Sequence, residues 1–446
     1  MLTYYRANEV GLIGHKSNRA MKTTTKLMLM LLVATDMLLC VSACSQNVQN
    51  QMERECESAL KQFKTVCDAD GGALWGQHLF GPTMFVDPNT RSVVANKQNN
   101  ANSFVQKGDL FCGQLPEEIN LANTSLDYCG ERWTCVMWDK GRDAISTTHL
   151  LIHESWHRIQ NEIGIPPITS QNQHLDVMEG ALLMKLELMI LEDLLIEKGS
   201  IDQHLHDALM VRKYRQTKFP DGNEKHFECH EGLAEYTAYK LLPIDEKNKK
   251  GVIAAAIKKG LDADGYCNSF AYLTGPAYGF VLDDMMPNWR DSIRIGMTMQ
   301  DLLMSRINLP ESVDEEDVIN LAETYQATEF LQSEGNRLEA QILIDAAIKD
   351  RFTTSKWLMI PNNGINFTFN PNEHLVKYDS IGTIYQTMRL SGDFGTIEID
   401  NGIMITSDWS CFILPYSEDD QNAQIRLETG YAIEKVDDKV YQIKPK

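Results

Sequence analysis

The chain has 446 residues, 43% of them hydrophobic, and a formal charge of −20. That apolar content is ample for a core, and the length suits two domains or one large domain with appendages. The acidity disfavours nucleic acid as a partner and adhesion of the folded body to an anionic bilayer, since like charges repel, and it favours solubility instead.

The first segment with a readable purpose is Met21 to Lys26, a short basic stretch. A mostly apolar run, Leu27 to Leu39, follows, and then Val41-Ser42-Ala43-Cys44, with small residues before a cysteine. This pattern resembles bacterial lipoprotein signal peptides, with translation starting at Met21. The resemblance implies cleavage before Cys44, lipidation of that residue, and an enzyme body tethered to a membrane of the cell envelope on its exported side. Cys40 is excluded as the acceptor because Leu39 holds the small-residue position. A transmembrane anchor fits less well, because the apolar run is short and broken by Asp36. In an oxidising compartment some of Cys56, Cys67, Cys112, Cys129, Cys135, Cys229, Cys267 and Cys411 are expected to pair, and no C-x-x-C spacing suggests a structural zinc ribbon.

After a polar tether from Ser45 to about Gln51, the spacing predicts a helix near Met52 to Cys67 and strands at Leu79 to Val86 and Arg91 to Ala95. Arg132 to Trp138 is β-prone. Next comes His153-Glu154-Ser155-Trp156-His157, an HExxH pattern inside a run carrying Leu150, Leu151, Ile152, Trp156 and Ile159. Ser146, Thr147 or Thr148 can cap this helix, and Gly164-Ile165-Pro166-Pro167 stops it. On a helix the two imidazoles share a face and can reach one ion, while Glu154 stands aside as a base for water. Catalytic zinc sites keep three protein ligands and leave one position for water or substrate, so a third ligand is needed. A metzincin-type histidine is excluded, because Ile163 stands six residues past His157 and Gln160 replaces the glycine of that pattern. His149, one turn before His153, lies too far along the axis to converge and reads as a capping or supporting histidine. His174 is a weaker ligand source, expected at the rim of a cleft, and Asp176 suits the N-cap of the helix that follows.

Asp176 to Lys198 and Ile201 to Lys218 both have helical spacing. Beyond them, Cys229-His230-Glu231-Gly232-Leu233-Ala234-Glu235-Tyr236 is the best source of the missing ligand. HExxH followed by a helix with E-G-x-A-x-Y resembles the gluzincin metallopeptidases, the superfamily of thermolysin and the aminopeptidase N-like enzymes. The resemblance implies Glu231 as the third zinc ligand and Glu235 as the carboxylate that holds a ligating imidazole. It also maps the Y-x-x-G tyrosine, an oxyanion donor, onto Tyr272 in Phe270-Ala271-Tyr272-Leu273-Thr274-Gly275, with Tyr278 in reserve. In gluzincins an edge strand ahead of the HExxH helix holds extended peptide by backbone pairing, a role that would fall on Arg132 to Trp138; the alternative is a core strand with no ligand contact, and Trp133 and Trp138 favour neither. The chain departs from the pattern in three ways. Between His157 and Glu231 lies a long gap, filled by the two helices; His230 replaces the usual Asn; and no G-x-M-x-N element supports exopeptidase action. Cys229 reads as a buried structural thiol or a disulfide partner.

The centre, from Ser146 to about Arg351, is overwhelmingly helical, with Val252 to Leu261, Met299 to Arg306 and a charged stretch from Glu315 onward. Past Trp357 the pattern turns to strands at Ile381 to Leu390, Gly395 to Ile399 and Ile403 to Trp409, with Asp400-Asn401-Gly402 as a hairpin turn. The expected fold is α+β: a mainly helical gluzincin-like catalytic domain, a small preceding β region and a C-terminal antiparallel β unit. The expected segments are a signal region at 1–44, a helix and β region at 45–130, a catalytic domain at 131–352 with a helical insertion at 165–222, and a β-rich unit at 353–446. The expected activity is cleavage of peptide bonds in a peptide or protein substrate. Zinc is held by His153, His157 and Glu231, Glu154 acts as general base, and Tyr272 shares the oxyanion. Two other readings keep the same residues: an inactive binding lipoprotein of this fold, and a zinc hydrolase of a non-peptide amide or ester.

Overall fold

In the computed structural model, residues 48–116, 118–369, 375–417 and 423–446 are described. The signal region and Cys44 lie outside them. The fold is mixed α+β, and the chain divides into two compact units, one up to Gln326 and the other from Ala327 to Lys446. Among the described residues no helix is long and apolar enough to cross a membrane.

The first unit opens with helix α1 (48–70). Strands β1 (Thr83–Val86), β2 (Ser92–Ala95), β3 (Val105–Lys107), β4 (Leu110–Gln114), β5 (Thr124–Tyr128) and β6 (Glu131–Met137) then form one sheet in the order β3-β4-β2-β1-β6-β5. Only the β1–β6 pairing is parallel. Alternation along the strands buries Met84, Val86, Val93, Ala95, Trp133 and Cys135 in a single apolar cluster. Thr134, on the other face of β6, meets Ser155 of the next helix, oxygen to oxygen at 3.0 Å. Trp133 is fully buried, and β6 is flanked on both sides, so of the two readings of Arg132 to Trp138 it is the interior strand and not the edge strand. The edge is β5.

Helix α2 (Ala144–Ile159) lies on this sheet. Its cap is Asp143, whose carboxylate accepts from the Ile145 and Ser146 amides at 2.9 and 3.0 Å. The expected caps fall inside the first turn, where Thr147 and Thr148 hydroxyls donate back to the carbonyls of Asp143 and Ala144. The chain leaves α2 through Gly164, whose φ of 85° is the left-handed conformation expected of a stop glycine. Trp156 anchors the helix in a fully buried group with Trp75 and Trp289, the Trp75 ring lying edge-on to each at 5.9 and 6.4 Å. Each such pair contributes about 0.5–1.5 kcal/mol beyond area burial.

The long gap is filled as expected by a helical pair, α3 (Met178–Leu195) and α4 (Ile201–Lys218), packed on each other. Asp176 does not cap α3; it sits in a short 3-10 turn and accepts from the Cys267 amide at 2.9 Å, pinning the loop before α8. α5 (Glu224–Phe227) runs through a π turn, Glu228–Gly232, into α6 (Leu233–Leu241). Then follow α7 (Glu246–Gly260), α8 (Phe270–Met285), α9 (Trp289–Arg294), α10 (Met299–Met304) and α11 (Glu315–Thr324). Helix α2 packs on α6, and α8 packs on both the π turn and α6. The eight described cysteines are all unpaired, so the expected disulfides are not formed. Most sit in the interior as small apolar groups.

The second unit begins with α12 (Thr328–Thr354) and continues as strands: β7 (Lys356–Pro361), β8 (Asn366–Phe369), β9 (Val376–Tyr378), β10 (Gly382–Tyr385), β11 (Met388–Gly392), β12 (Gly395–Ile399), β13 (Ile403–Thr406), β14 (Cys411–Tyr416), β15 (Ala423–Leu427), β16 (Tyr431–Lys435) and β17 (Val440–Pro445). They form a seven-stranded sheet, β16-β17-β7-β14-β13-β10-β9, and a four-stranded sheet, β15-β12-β11-β8, which share one apolar core. Asp400-Asn401-Gly402 is therefore not a hairpin turn. β12 and β13 belong to different sheets, and these residues carry the chain from one to the other, with Gly402 at a φ of 93°.

Candidate metal centre

Three elements converge on one cleft. α2 carries His153, Glu154 and His157, the π turn carries His230 and Glu231, and α6 carries Glu235. A π turn widens the helix by one residue, a distortion common where a side chain must be re-aimed. Here Glu228 points into the interior while Glu231, on the same turn, faces the cleft. The turn can press close to α8 because Gly232 meets Gly275. A Cβ on Gly232 would stand 2.9 Å from the Gly275 Cα, and one on Gly275 would collide with the Gly232 backbone. Close backbone approach is thus a physical reason for glycine after Glu231.

Among the described residues, His153, His157 and Glu231 form the one group able to hold a metal ion. The His153 and His157 Nε2 atoms are 3.2 Å apart, and Glu231 Oε2 is 3.5 and 3.4 Å from them. A tetrahedral zinc ion with bonds of 2.0–2.1 Å spaces its donors by about 3.3–3.4 Å. The protons fit as well. His153 Nδ1 lies 2.8 Å from Glu235 Oε2, and His157 Nδ1 lies 2.6 Å from Gln160 Oε1. Both oxygens accept, so a neutral ring carries its hydrogen on Nδ1 and turns a bare Nε2 lone pair inward, where a proton or a metal ion can take it up. Three lone-pair atoms facing one another without a hydrogen between them repel unless a cation joins them.

The electrostatics agree. Burial alone would lower the His153 pKa, but hydrogen bonds to Glu231 and Glu235 overcome it and hold the ring at about 10. Burial likewise works to raise Glu231, and the imidazoles of His153 and His157 hold its carboxyl well below the usual range. The site thus stabilises a positive charge, whether proton or metal. Burial pushes the Glu154 carboxyl above its ordinary value, with the imidazoles of His153 and His157 opposing the shift. Burial, then the Glu231 carboxylate, pushes the Tyr272 phenol far up, so it remains a donor.

The cleft has a volume of about 250 Å³, and His153, Glu154, His157, His230, Glu231 and Tyr272 line it. Comparison with family models, curated proteins and solved structures returns no match.

Tyr272 stacks on His153, ring centroids 5.5 Å apart, and its hydroxyl donates to Glu231 Oε2 at 2.6 Å. Tyr278 is elsewhere, fully buried and donating to Glu187 at 2.7 Å. His149 approaches the far side of Glu235, its Nε2 3.3 Å from Oε1 without a hydrogen bond between them. His174 is not at the cleft rim; its Nε2 meets Glu224 at 2.7 Å within a buried ionic cluster. The Cys229 thiol is pushed up to about 12 by burial and is inert as a nucleophile. Three contributors escaped sequence reasoning. Gln160 registers in the sequence only as a residue that is not glycine, although it is almost fully buried against His157. β5 has weak alternation, yet Asn123, Thr124 and Ser125 line the cleft. The third is the cluster behind the π turn, where the Arg212 guanidinium donates to both Glu228 oxygens at 2.9 Å and Arg215 grips Glu224 and Glu187.

Proposed function

We propose that this protein is a zinc metallopeptidase of the gluzincin type, tethered to an envelope membrane through lipid on Cys44, whose catalytic domain hydrolyses peptide bonds in peptide or protein substrates. The observation that carries the reading is the triangle of His153 Nε2, His157 Nε2 and Glu231 Oε2, with edges of 3.2–3.5 Å and both ring hydrogens engaged on the outer side. These three residues would hold zinc, which when bound polarises a carbonyl and acidifies water. Glu154, next to His153 on the cleft wall, takes a proton from the attacking water and returns it to the leaving amine. Its raised affinity for protons suits that exchange. Tyr272 keeps its proton and donates to the negative charge that develops on the carbonyl oxygen. Glu235 fixes the His153 ring in its tautomer and orientation. A peptide substrate is favoured over other amides because the cleft borders β5, the outer strand of its sheet, which can pair with an extended backbone without reading side chains.

The test is metal analysis together with hydrolysis of an unfolded protein. The full chain should bind one zinc ion and cleave. Glu154→Gln should keep the zinc and lose activity by about 10²–10⁴-fold, the usual contribution of a positioned general base. His153→Ala should lose the metal. Full hydrolysis by Glu154→Gln would falsify the assignment.

A further inference from the structure

We infer that Gln160 fixes the hydrogens of His157 and His230, the two rings on either side of it, so that His230 turns its Nε2 edge toward one oxygen of Glu231 and biases the other toward the ion. The inference deepens the zinc-peptidase reading and rests on it.

The arrangement can be followed atom by atom. Gln160 caps the C-terminal end of α2 and is 2% exposed. Its amide nitrogen lies 3.4 Å from the Ile165 carbonyl and 3.2 Å from His230 Nδ1. A carbonyl can only accept, so the amide must face that way with its nitrogen, which turns Oε1 to His157 Nδ1 at 2.6 Å. The backbone agrees, because the Ile165 amide donates to the Gln160 carbonyl at 2.9 Å and closes the same loop. With one amide hydrogen on Ile165, the other points at His230 Nδ1, which must then be the accepting nitrogen. The hydrogen of a neutral His230 ring is therefore on Nε2, and Nε2 stands 3.3 Å from Glu231 Oε1.

The two oxygens of Glu231 thus have different company. Oε1 lies 3.3 Å from His230 Nε2, an electrostatic approach without hydrogen-bond alignment. Oε2 faces His153 and His157 and accepts from Tyr272. A carboxylate divided in this way contributes one oxygen to an ion and leaves a corner for water and substrate, whereas two-oxygen binding would occupy that corner. Gln160 and His230 are positioning residues in this scheme, since they act through His157 and Glu231.

The test uses the full chain with ¹⁵N-labelled histidine, loaded with zinc, and reads ring tautomers from long-range ¹H–¹⁵N correlations. Zinc affinity is measured beside it by chelator competition. His153 and His157 should carry hydrogen on Nδ1 and His230 on Nε2. Replacement by His230→Phe, or by Gln160→Leu, should weaken zinc binding by about 10–100-fold, the usual loss when an outer partner of a metal ligand is removed. Hydrogen on Nδ1 of His230 in the unaltered protein overturns the arrangement even if neither variant folds. So does zinc affinity unchanged within about twofold in a folded His230→Phe, and in both cases the zinc-peptidase reading stands. A full chain that takes up no zinc overturns that reading and the role given to His230 together.

Discussion

Tyr272 has two possible jobs within reach of one hydroxyl, and they are separable. Its hydrogen bond of 2.6 Å to Glu231 Oε2 would help orient the ligand, while its place on the cleft wall would let it donate to the substrate oxyanion. A donor used in the transition state affects turnover more than ground-state binding. Tyr272→Phe should therefore lower kcat by about 10²–10³-fold, with KM and zinc affinity nearly unchanged. A fall in zinc affinity with kcat preserved at saturating metal would assign Tyr272 to the ligand instead. Glu235 illustrates what residue-level reading can reach. The gluzincin resemblance implies a supporting role for it, and its carboxylate lies 2.8 Å from His153 Nδ1 across 82 residues of sequence. Gln160 illustrates the limit, because a glutamine at a helix end has no chemistry of its own until a ring nitrogen is packed against it.

Among the elements, the π turn is stabilised from behind by charges taken wholly out of water. Glu187, Arg212, Arg215, Glu224 and Glu228 are almost fully buried and pair with one another through charge-assisted bonds from α3, α4 and α5 to the turn, with Arg215 Nη1 left without a partner among the described residues. Removing one partner of such a group costs about 3–5 kcal/mol, because a buried charge is left unmatched. Burial works against Glu224, yet the Arg215 guanidinium holds its pKa far below the ordinary 4.5. The unfolded chain therefore binds this proton more readily than the folded one, so the contribution is present above about pH 4.5 and is lost as pH falls below it. Urea denaturation from pH 6 to pH 3 should show a steeper acid loss of stability in the natural chain than in Glu224→Gln. Equal slopes would remove Glu224 from the account. β5 makes a second prediction at this scale. If substrate pairs with its free edge, methylating peptide nitrogens one at a time should weaken binding at alternate positions, because successive backbone groups face opposite ways. Uniform losses along the peptide would argue for side-chain pockets instead.

At the scale of the whole molecule, every residue of the candidate site belongs to the unit that ends at Gln326, while the strands from β7 onward have a core of their own. A fragment spanning residues 48–326 should accordingly fold, bind zinc and hydrolyse peptide, as checked by circular dichroism, metal analysis and turnover. An unfolded or metal-free fragment would show that the C-terminal unit is required. The sequence by itself determined the local geometry of the metal-binding helix, since 3.6 residues per turn put His153 and His157 on one face whatever surrounds them. It likewise determined the helical pair that fills the gap and the change from helix to strand past Trp357, because periodicity is a property of consecutive residues. Only the tertiary structure decided which strand borders the cleft, that β12 and β13 enter different sheets, that the described cysteines are unpaired, and that Gln160 joins His157 to His230. Those facts depend on which distant segments meet, and local periodicity carries no record of partners many residues away.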